Sequence, residues 1–271
     1  MPSTLAQIYG AQALTDDELD LLFDRSLAPR SAAMLYAAAG EWGLQANDHL
    51  LDIGCRDARH TLHLVRQYGC VALGIDPVPD NLAAARTLIA QEKVEQSLAV
   101  EEGVIAALPV ADASIDFIWC RDMLNHVPDL VAGFAECWRV LKPGKRMLVY
   151  QTFATPRLYA EEAAFLYDAL AIVAETMEPD WWETAVAAAG LRIIHRDVIA
   201  SEWREAWEED GSRITAQQLL RIARLQRHPA LYVEKAGATN YQIELANDLW
   251  GVYQMLGKLC PTLYVLERPT A

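Results

Sequence analysis

The chain has 271 residues, of which 53% are hydrophobic, and its formal net charge is −14. That apolar content suffices for a sizeable core, and so acidic a surface disfavours nucleic acid because it repels phosphate. No apolar run approaches the ~18 residues of a membrane span, and no basic, apolar leader opens the sequence. Five cysteines without a CxxC pair are typical of reduced thiols, and no metal site is predicted. We therefore expect a cytoplasmic protein with a small-molecule partner and an undetermined oligomeric state.

The first 45 residues are predicted to be helical. Thr15 and Glu18 have the spacing of a capping box at the start of a helix. A second, alanine-rich helix is expected from Arg30 to Glu41. Residues 1–45 are therefore interpreted as a separate N-terminal helical segment.

From residue 46 to 154 short apolar segments alternate with helical ones. The apolar segments stand at 49–53, 71–75, 115–120 and 146–151. Such alternation indicates βαβ units, so this part predicts an α/β fold with a parallel sheet covered on both faces. Ligands of such sheets bind beyond the carboxyl ends of the strands.

The alternation loosens after this core. A long helix is predicted over 160–178, and Asp180 and Glu183 have the spacing of another capping box. A strand then leads into three predicted helices before a last strand at 262–267. Residues 155–271 are thus expected to supply helical cap insertions and the last two strands of the sheet.

Motifs with polar or glycine residues stand at the predicted strand ends. The segment DIGCRDA, beginning at Asp52, joins the first strand to its helix, where nucleotide-binding α/β folds place a tight turn. Asp76 ends the second strand, a position suited to hydrogen bonds with ribose. Three further motifs follow in order: LPVADASIDF at 108–117, LNHVPD at 124–129 and WRVLKPG at 138–144.

Together these motifs resemble class I S-adenosylmethionine (SAM) dependent methyltransferases, particularly the ubiquinone-biosynthesis-type and small-molecule group. The family pattern is DxGxGxG, an acidic end of strand two, LPF…DxSFD, LxHVxD and RVLKPGG, and the resemblance covers residues 50–150. It implies a Rossmann-like, seven-stranded, mostly parallel sheet with a SAM-binding core at 46–154. It also implies in-line methyl transfer to an O, N or C atom of a small-molecule acceptor, with S-adenosylhomocysteine as product.

The resemblance further implies three groups of cofactor-binding residues. The loop after the first strand and the end of the fourth would hold the methionine moiety, with Asp52 near its amino group. The end of the second strand would hold the ribose, and the loop after the third strand would lie beside adenine. In chain order these residues are Asp52, Gly54, Cys55, Arg56, Asp76, Pro77, Val104, Ile105, Cys120 and Arg121.

Several residues depart from the family pattern. Arg56 and Ala58 replace the second and third glycines, Val104 replaces an adenine-contacting aspartate, and Lys145 replaces the last glycine of the final motif. Arg56 matters most, because a side chain stands where backbone usually meets the ligand and a positive φ is unfavourable there. Either this side chain points away or pairs with the SAM carboxylate, which we favour, or cofactor binding is weakened.

His126 follows the fourth strand and is the candidate catalytic base, since histidine titrates near neutrality. A structural role for His126, packing against Asp129 or the cap, is the alternative, and His60 is expected to be structural. Members of the resembled family often use an N-terminal tyrosine in a lid, so Tyr9 is a candidate lid residue and residues 1–45 a candidate lid segment. Cap aromatics are expected mostly to pack, with an apolar or cation-binding pocket as the alternative; they are Trp181, Trp182, Trp203, Trp207, Tyr232, Tyr241, Trp250 and Tyr253.

Two other functions are compatible with parts of this pattern. A nicotinamide-dependent oxidoreductase shares the strand, the turn and the ribose carboxylate, but expects GxGxxG, and Arg56 and Arg59 occupy its later glycine positions. A SAM-fold protein that does not methylate, either a binding subunit or a cyclisation-type enzyme, is the second alternative. Arg56 and Val104 are the residues in its favour.

Overall fold

The protein was analysed as a computed structural model that describes residues 15–23 and 30–270. The candidate lid residue Tyr9 lies outside these residues. Among the helices that the structure describes, none combines the length and the apolar character that crossing a bilayer requires.

A single seven-stranded sheet with the order β3-β2-β1-β4-β5-β7-β6 organises the molecule. Neighbours among the first five strands pair in parallel, whereas β7 is antiparallel to both β5 and β6. The predicted mostly parallel sheet is confirmed, and the reversed strand β7 separates this topology from the 3-2-1-4-5-6 order of dinucleotide-binding dehydrogenases. The strands are β1 His49–Ile53, β2 Val71–Asp76, β3 Leu98–Glu102, β4 Ile115–Arg121, β5 Leu141–Ala154, β6 Arg192–Val198 and β7 Leu259–Glu267.

Eleven α-helices lie in the described residues, and two 3-10 turns, Leu124–His126 and Ala174–Met177, interrupt the chain between them. The helices are α1 Asp16–Phe23, α2 Ala32–Glu41, α3 Arg59–Tyr68, α4 Pro79–Glu92, α5 Leu130–Val140, α6 Ala160–Ala169, α7 Pro179–Ala188, α8 Glu202–Glu209, α9 Ile214–Arg227, α10 Pro229–Ala236 and α11 Ala238–Met255.

Strand β4 shows why the sheet is covered on both faces. Its residues are buried without interruption from Ile115 to Cys120. Because successive side chains of a strand point to opposite faces, Phe117 packs into one core cluster and Ile118 into another. Helices α2, α3 and α4 contribute to the first cluster, and α5 and α7 to the second.

One strand of the structure was not predicted, and one predicted helix is too long. Strand β3 was not identified, because its outer residues Ala99, Glu101 and Glu102 are exposed and its apolar run is short. The helix predicted over 160–178 ends at Ala169, since Ala171 takes a left-handed backbone with φ of 52°. The amide of the following Ile172 donates to Tyr167 O at 2.9 Å, which closes the helix end.

Of the two predicted capping boxes, one is confirmed and one is wrong. At Thr15 the backbone amide donates to the Glu18 carboxylate at 2.8 Å, and the Glu18 amide donates to the Thr15 hydroxyl at 3.3 Å. At the second site α7 begins earlier, with Pro179 in its first turn, so Asp180 already lies inside the helix. The carboxylate of Glu183 instead accepts a hydrogen bond from the Tyr264 hydroxyl at 2.7 Å.

Helices α8 to α11 form a cap inserted between β6 and β7. One end of the cap is tied to the start of α2 by Arg30, whose guanidinium donates to Glu202 at 2.6 Å and to Asp197. The Arg30 amide also donates to Glu202 O at 3.2 Å. The sheet and the cap therefore meet at the carboxyl edge of the strands.

Candidate active site

The turn after β1 keeps a glycine-like backbone although two of its residues are not glycine. Gly54 has a φ of 79°, and a Cβ there would lie 2.7 Å from Cγ of Met123. Arg56 and Ala58 have φ values of 48° and 59°. The turn is fastened to β2, because the Gly54 amide donates to Ile75 O at 2.8 Å. The substitutions leave the loop shape in place, and the Arg56 side chain is exposed to solvent.

Asp76 connects the ends of β1 and β2. One carboxylate oxygen accepts the Arg56 amide at 3.0 Å, and the other accepts the Val78 amide at 2.9 Å and the Asn81 side-chain amide at 3.0 Å. A carboxylate offers about four acceptor positions, so these three hydrogen bonds leave roughly one position for a ligand. A second becomes available if the Asn81 hydrogen bond breaks. The position of Asp76 at this edge was predicted from the sequence, whereas its hydrogen bond to the preceding loop was not.

Asp52 lies beneath the same turn and is 3% exposed. The hydroxyl of Thr61 donates to its carboxylate. Burial raises the pKa of Asp52 to about 7, and the Thr61 hydrogen bond partly opposes that rise. The charge on this carboxylate therefore changes near neutral pH and responds to any cation placed beside it.

The loop after β3 presents the two residues predicted beside adenine in different ways. Val104 is 50% exposed, whereas Ile105 is buried against Gly133. The Gly103 amide donates to Asp76 O at 3.3 Å, so this loop adjoins the end of β2. The exposed Val104, at a position predicted to border adenine, presents an apolar surface in place of the family's aspartate.

Cys120 and Arg121 end strand β4. The Cys120 thiol is fully buried, and burial raises its pKa. The Arg121 guanidinium contacts the imidazole of His60 on α3. Arginine only donates, so Nε2 of His60 is the acceptor and its Nδ1–H donates to the Tyr36 hydroxyl oxygen.

His60, which was expected to be structural, links Tyr36 of α2 to Arg121 at the end of β4. Burial, followed by the neighbouring Arg121 charge, lowers the pKa of His60 to about 4, so the ring is neutral at pH 7. Nothing in its local sequence signals this position, because its partners Tyr36 and Arg121 lie 24 and 61 residues away.

His126 closes the 3-10 turn that follows β4, and it is exposed. Its Nδ1–H donates to Ala171 O at 3.0 Å, which leaves Nε2 as the proton-accepting nitrogen of the neutral ring. Of the two structural partners considered for His126, the structure shows contact with the predicted cap segment 160–178, through Ala171, whereas Asp129 caps α5 by accepting the Ala132 amide at 2.9 Å. The geometry leaves this nitrogen available as a base.

A group of buried and half-buried polar side chains at the ends of β4 and β5 was not predicted from the sequence. The amide of Asp122 donates to Tyr150 O at 2.8 Å, which joins the two strand ends. Arg204 of α8 reaches the same place and is 6% exposed. The group comprises Arg121, Asp122, Tyr150, Thr152, Arg204 and Gln254.

A cavity of about 430 Å³ lies further along this edge, beyond the groups described so far. It is lined by the end of β5, the start of β7 and the turn after β6, and includes Arg157, Ser201 and Cys260. None of the predicted cofactor residues lines it. This cavity therefore adjoins the cap side of the sheet and not the β1–β2 side.

Comparison with known proteins places this arrangement in a family. Residues 51–149 match the methyltransferase domain family. A curated relative, the 27-O-demethylrifamycin SV methyltransferase of Amycolatopsis mediterranei, is 24% identical over 177 residues, which is 65% of this chain and 65% of the relative. The matched region thus spans slightly less than two thirds of that relative's length.

Solved structures share the fold at low sequence identity. A phosphoethanolamine N-methyltransferase 2 from Haemonchus contortus, in complex with phosphomonomethylethanolamine and S-adenosylhomocysteine, superposes with a TM-score of 0.69 at 15% identity, covering 90% of this chain and 54% of the other. The [4+2]-cyclase SpnF superposes with a TM-score of 0.68 at 16% identity, covering 89% and 82%.

The strand order, the turn after β1 and the acidic end of β2 define a class I SAM-dependent methyltransferase fold. Residues 51–149, which run from β1 into β5, carry a methyltransferase domain. SAM is the cofactor of the family, and a solved structure of this fold holds its product.

Proposed function

We propose that the chain transfers a methyl group from SAM to an O, N or C atom of a small-molecule acceptor by in-line displacement. The observation that carries this proposal is the turn after β1. Its glycine-like backbone persists at Arg56, and the Arg56 amide is hydrogen-bonded to Asp76 at 3.0 Å. A strained backbone persists where function requires it, so we infer that this turn keeps its shape because a bound ligand needs it.

The residues at this edge suit the cofactor. Gly54 leaves a space that a Cβ would fill, and Asp52 supplies a buried carboxylate suited to the positive charge of the methionine end. Asp76 and Pro77 would hold the ribose, and Val104 and Ile105 would border adenine. Cys55, Arg56, Cys120 and Arg121 complete the proposed cofactor residues on the methionine side.

When bound, SAM supplies an activated methyl group on a sulfonium, so the protein contributes alignment and electrostatics. An O–H or N–H acceptor has to lose a proton as it is methylated. We assign that proton to Nε2 of His126, because Nδ1 already carries the hydrogen that it donates to Ala171 O. Arg121, fixed by His60, borders the reacting space on the β1 side.

The alternative is a SAM-fold protein that does not methylate, and the fold is shared with a cyclase. Arg56 and Val104 are its supporting residues. Titration with SAM and with S-adenosylhomocysteine by calorimetry separates the two functions at the first step. Failure of both compounds to bind would remove the methyltransferase proposal.

A positive titration leads to the acceptor. Metabolite extracts incubated with methyl-labelled SAM and the protein should yield a labelled product detectable by mass spectrometry. Cofactor binding without any labelled product from a broad set of extracts would favour the non-methylating alternative.

We also infer the context in which the enzyme works. The net charge of −14 supports a small-molecule partner and argues against nucleic acid, and five free cysteines support a cytoplasmic location. We further propose three regions: a lid segment at 1–45, a SAM-binding core at 46–154, and cap insertions with the last two strands at 155–271.

A further inference from the structure

The buried polar group at the ends of β4 and β5 contains two guanidiniums with neutral partners. Arg204 donates from Nε to the Gln254 side-chain oxygen at 2.6 Å and from Nη1 to the Gln218 oxygen at 3.3 Å. Its Cζ lies 4.5 Å from the centroid of the Trp207 ring. Burial lowers the pKa of Arg204 to about 10, so the group is still charged at pH 7.

Arg121 is also held by neutral groups. It donates to the His60 imidazole, and its Cζ lies 5.8 Å from the Tyr150 ring centroid and 5.5 Å from that of Trp203. Within the described part of the chain, neither Arg121 nor Arg204 forms an ion pair with a carboxylate. A buried guanidinium is costly unless an anion pairs with it, and Arg204 has no hydrogen-bonded anion to offset its burial. Arg121 is half-buried and also lacks one, so the Asp122 carboxyl acts on both only at longer range.

The remaining members of the group leave hydrogen-bonding capacity unused. The Tyr150 hydroxyl belongs to a residue that is 1% exposed; within the described residues it makes no hydrogen bond of good geometry, although the Thr152 side chain lies beside it. One oxygen of Asp122 is in the same state, and burial raises the pKa of this carboxyl. Arg121 and Arg204 supply two positive charges, and Asp122 supplies at most one negative charge. The local charge is therefore positive inside a chain of net charge −14.

We propose that Arg121, Arg204 and the Tyr150 hydroxyl bind a carboxylate group of the methyl acceptor; this rests on the proposed function and reassigns the Arg121 guanidinium from the cofactor's methionine moiety to the acceptor. A planar guanidinium matches a carboxylate geometrically, and the single negative charge suits a site that already contains Asp122. The site borders the β1 loop through His60, which places the acceptor beside the methionine end of the cofactor. The Trp203 and Tyr150 rings, with centroids 4.7 Å apart, favour an acceptor with an apolar or aromatic body.

Three probes of nearly equal shape test the charge preference: benzoate, benzamide and benzamidinium. Each is titrated by calorimetry into the protein complexed with S-adenosylhomocysteine, and again into the protein alone. Benzoate should bind the complex at least tenfold more tightly than benzamide, and benzamidinium should bind most weakly.

Variants locate that preference. Arg204→Gln should abolish the preference for benzoate, and Arg204→Lys should retain part of it by keeping the charge. Arg224→Gln is the matched control, because it removes one charge from an exposed position on α9 of the same cap. Melting temperatures of all three variants verify that each is folded.

The proposal would be overturned if the three probes bound equally, if benzoate failed to bind even at millimolar concentration, or if benzamidinium bound most tightly. Competition between benzoate and S-adenosylhomocysteine would also overturn it, by assigning the site to the cofactor's own carboxylate. The titration without S-adenosylhomocysteine still reports on the site if the cofactor proves not to bind, so failure of the proposed function is distinguished from failure of this inference.

Discussion

The two sides of the sheet's carboxyl edge are built in different ways; we call the ends of β1 and β2 the cofactor side and the ends of β4 and β5 the acceptor side, after the functions proposed for them. On the cofactor side, backbone atoms form most of the structure, as in the Gly54 amide bonded to β2 and the Arg56 amide bonded to Asp76. On the acceptor side, side chains from β4, β5, α8 and α11 meet, as in the contact of Arg204 with Gln254. A site made of backbone keeps its shape when side chains change, whereas a site made of side chains changes its chemistry with each substitution.

The largest expected effect tests the acceptor side. We expect His126→Ala to lower kcat by about 10²–10⁴, the usual contribution of a general base, with unchanged SAM affinity. Single-turnover kinetics on the identified acceptor measure this, with the exposed His228→Ala as control. Wild-type turnover of His126→Ala would assign this histidine a structural role at the end of β4.

The next effect concerns the core that supports both sides. Trp182 is fully buried against Phe134 and Tyr264, with ring centroids 5.2 Å and 4.6 Å away. Trp182→Ala should therefore lower the free energy of unfolding by about 3–5 kcal/mol, measured by urea denaturation. The neighbouring Trp181→Ala, at a position 38% exposed, should cost far less. Equal losses of stability in the two variants would contradict the placement of Trp182 in the core and of Trp181 at the surface.

Replacing Asp76 on the cofactor side should have a smaller effect, on SAM affinity. Asp76→Ala should weaken SAM binding by about 1–3 kcal/mol, the scale for lost hydrogen bonds to a charged group. The loss combines the ribose contact with the release of the Arg56 amide. Calorimetry with Asp80→Ala, an exposed acid in the first turn of α4, provides the control. Unchanged affinity in Asp76→Ala would show that the cofactor assignment is wrong.

The pKa of Asp52 predicts a pH dependence. Because burial raises it to about 7, the carboxyl is largely protonated below that pH and cannot attract a cation. SAM affinity should fall by up to tenfold per pH unit below pH 7 and level off above it, and Asp52→Asn should flatten this profile. A pH-independent wild-type affinity between pH 5 and 8 would remove Asp52 from the cation's surroundings.

The same raised pKa affects stability in the opposite direction. The folded state holds this proton more tightly than the unfolded chain, whose aspartates titrate near ~3.9. The stabilisation is complete below that value and is lost as the pH rises towards 7. Urea denaturation across this range should show Asp52→Asn losing less stability than wild type.

The smallest effect measures the backbone strain at Arg56. A left-handed conformation costs an L-residue roughly 1–2 kcal/mol, and the greater freedom of glycine in the unfolded chain offsets about 0.5–1 kcal/mol of any gain. Arg56→Gly should stabilise the protein by up to ~1 kcal/mol relative to Arg56→Ala, which keeps the strain. Comparing SAM affinities of the same two variants shows whether the side chain itself contacts the cofactor: equal weakening in both would indicate that it does.

The sequence predicts the cofactor side well because its groups are close in the chain. A hydrophobic strand, a turn and an acid 22 residues after Gly54 are enough to place Asp52, Gly54 and Asp76 at neighbouring strand ends. The sheet follows from the same alternation, except for β3, whose half-exposed residues give a weak signal.

The acceptor side could not be predicted in this way. Its contacts join residues 50 apart, as in Arg204 with Gln254, or 102 apart, as in Gln254 with Thr152. No local pattern distinguishes an arginine that enters the interior from one that stays in solvent, and Arg204 stands in an acidic, helical stretch that predicts a solvated face. The position of His60 was missed for the same reason.

The tether at Arg30 has a kinetic consequence. It joins the start of α2, which carries Tyr36 on the cofactor side, to α8, which carries Trp203 on the acceptor side. Asp197 belongs to β6, so an outward movement of α8 breaks only the Glu202 ion pair, whereas an outward movement of the start of α2 breaks both. We therefore expect opening of the two sides to be coupled through Glu202. These ion pairs are 23–30% exposed, and salt should weaken the coupling by screening them.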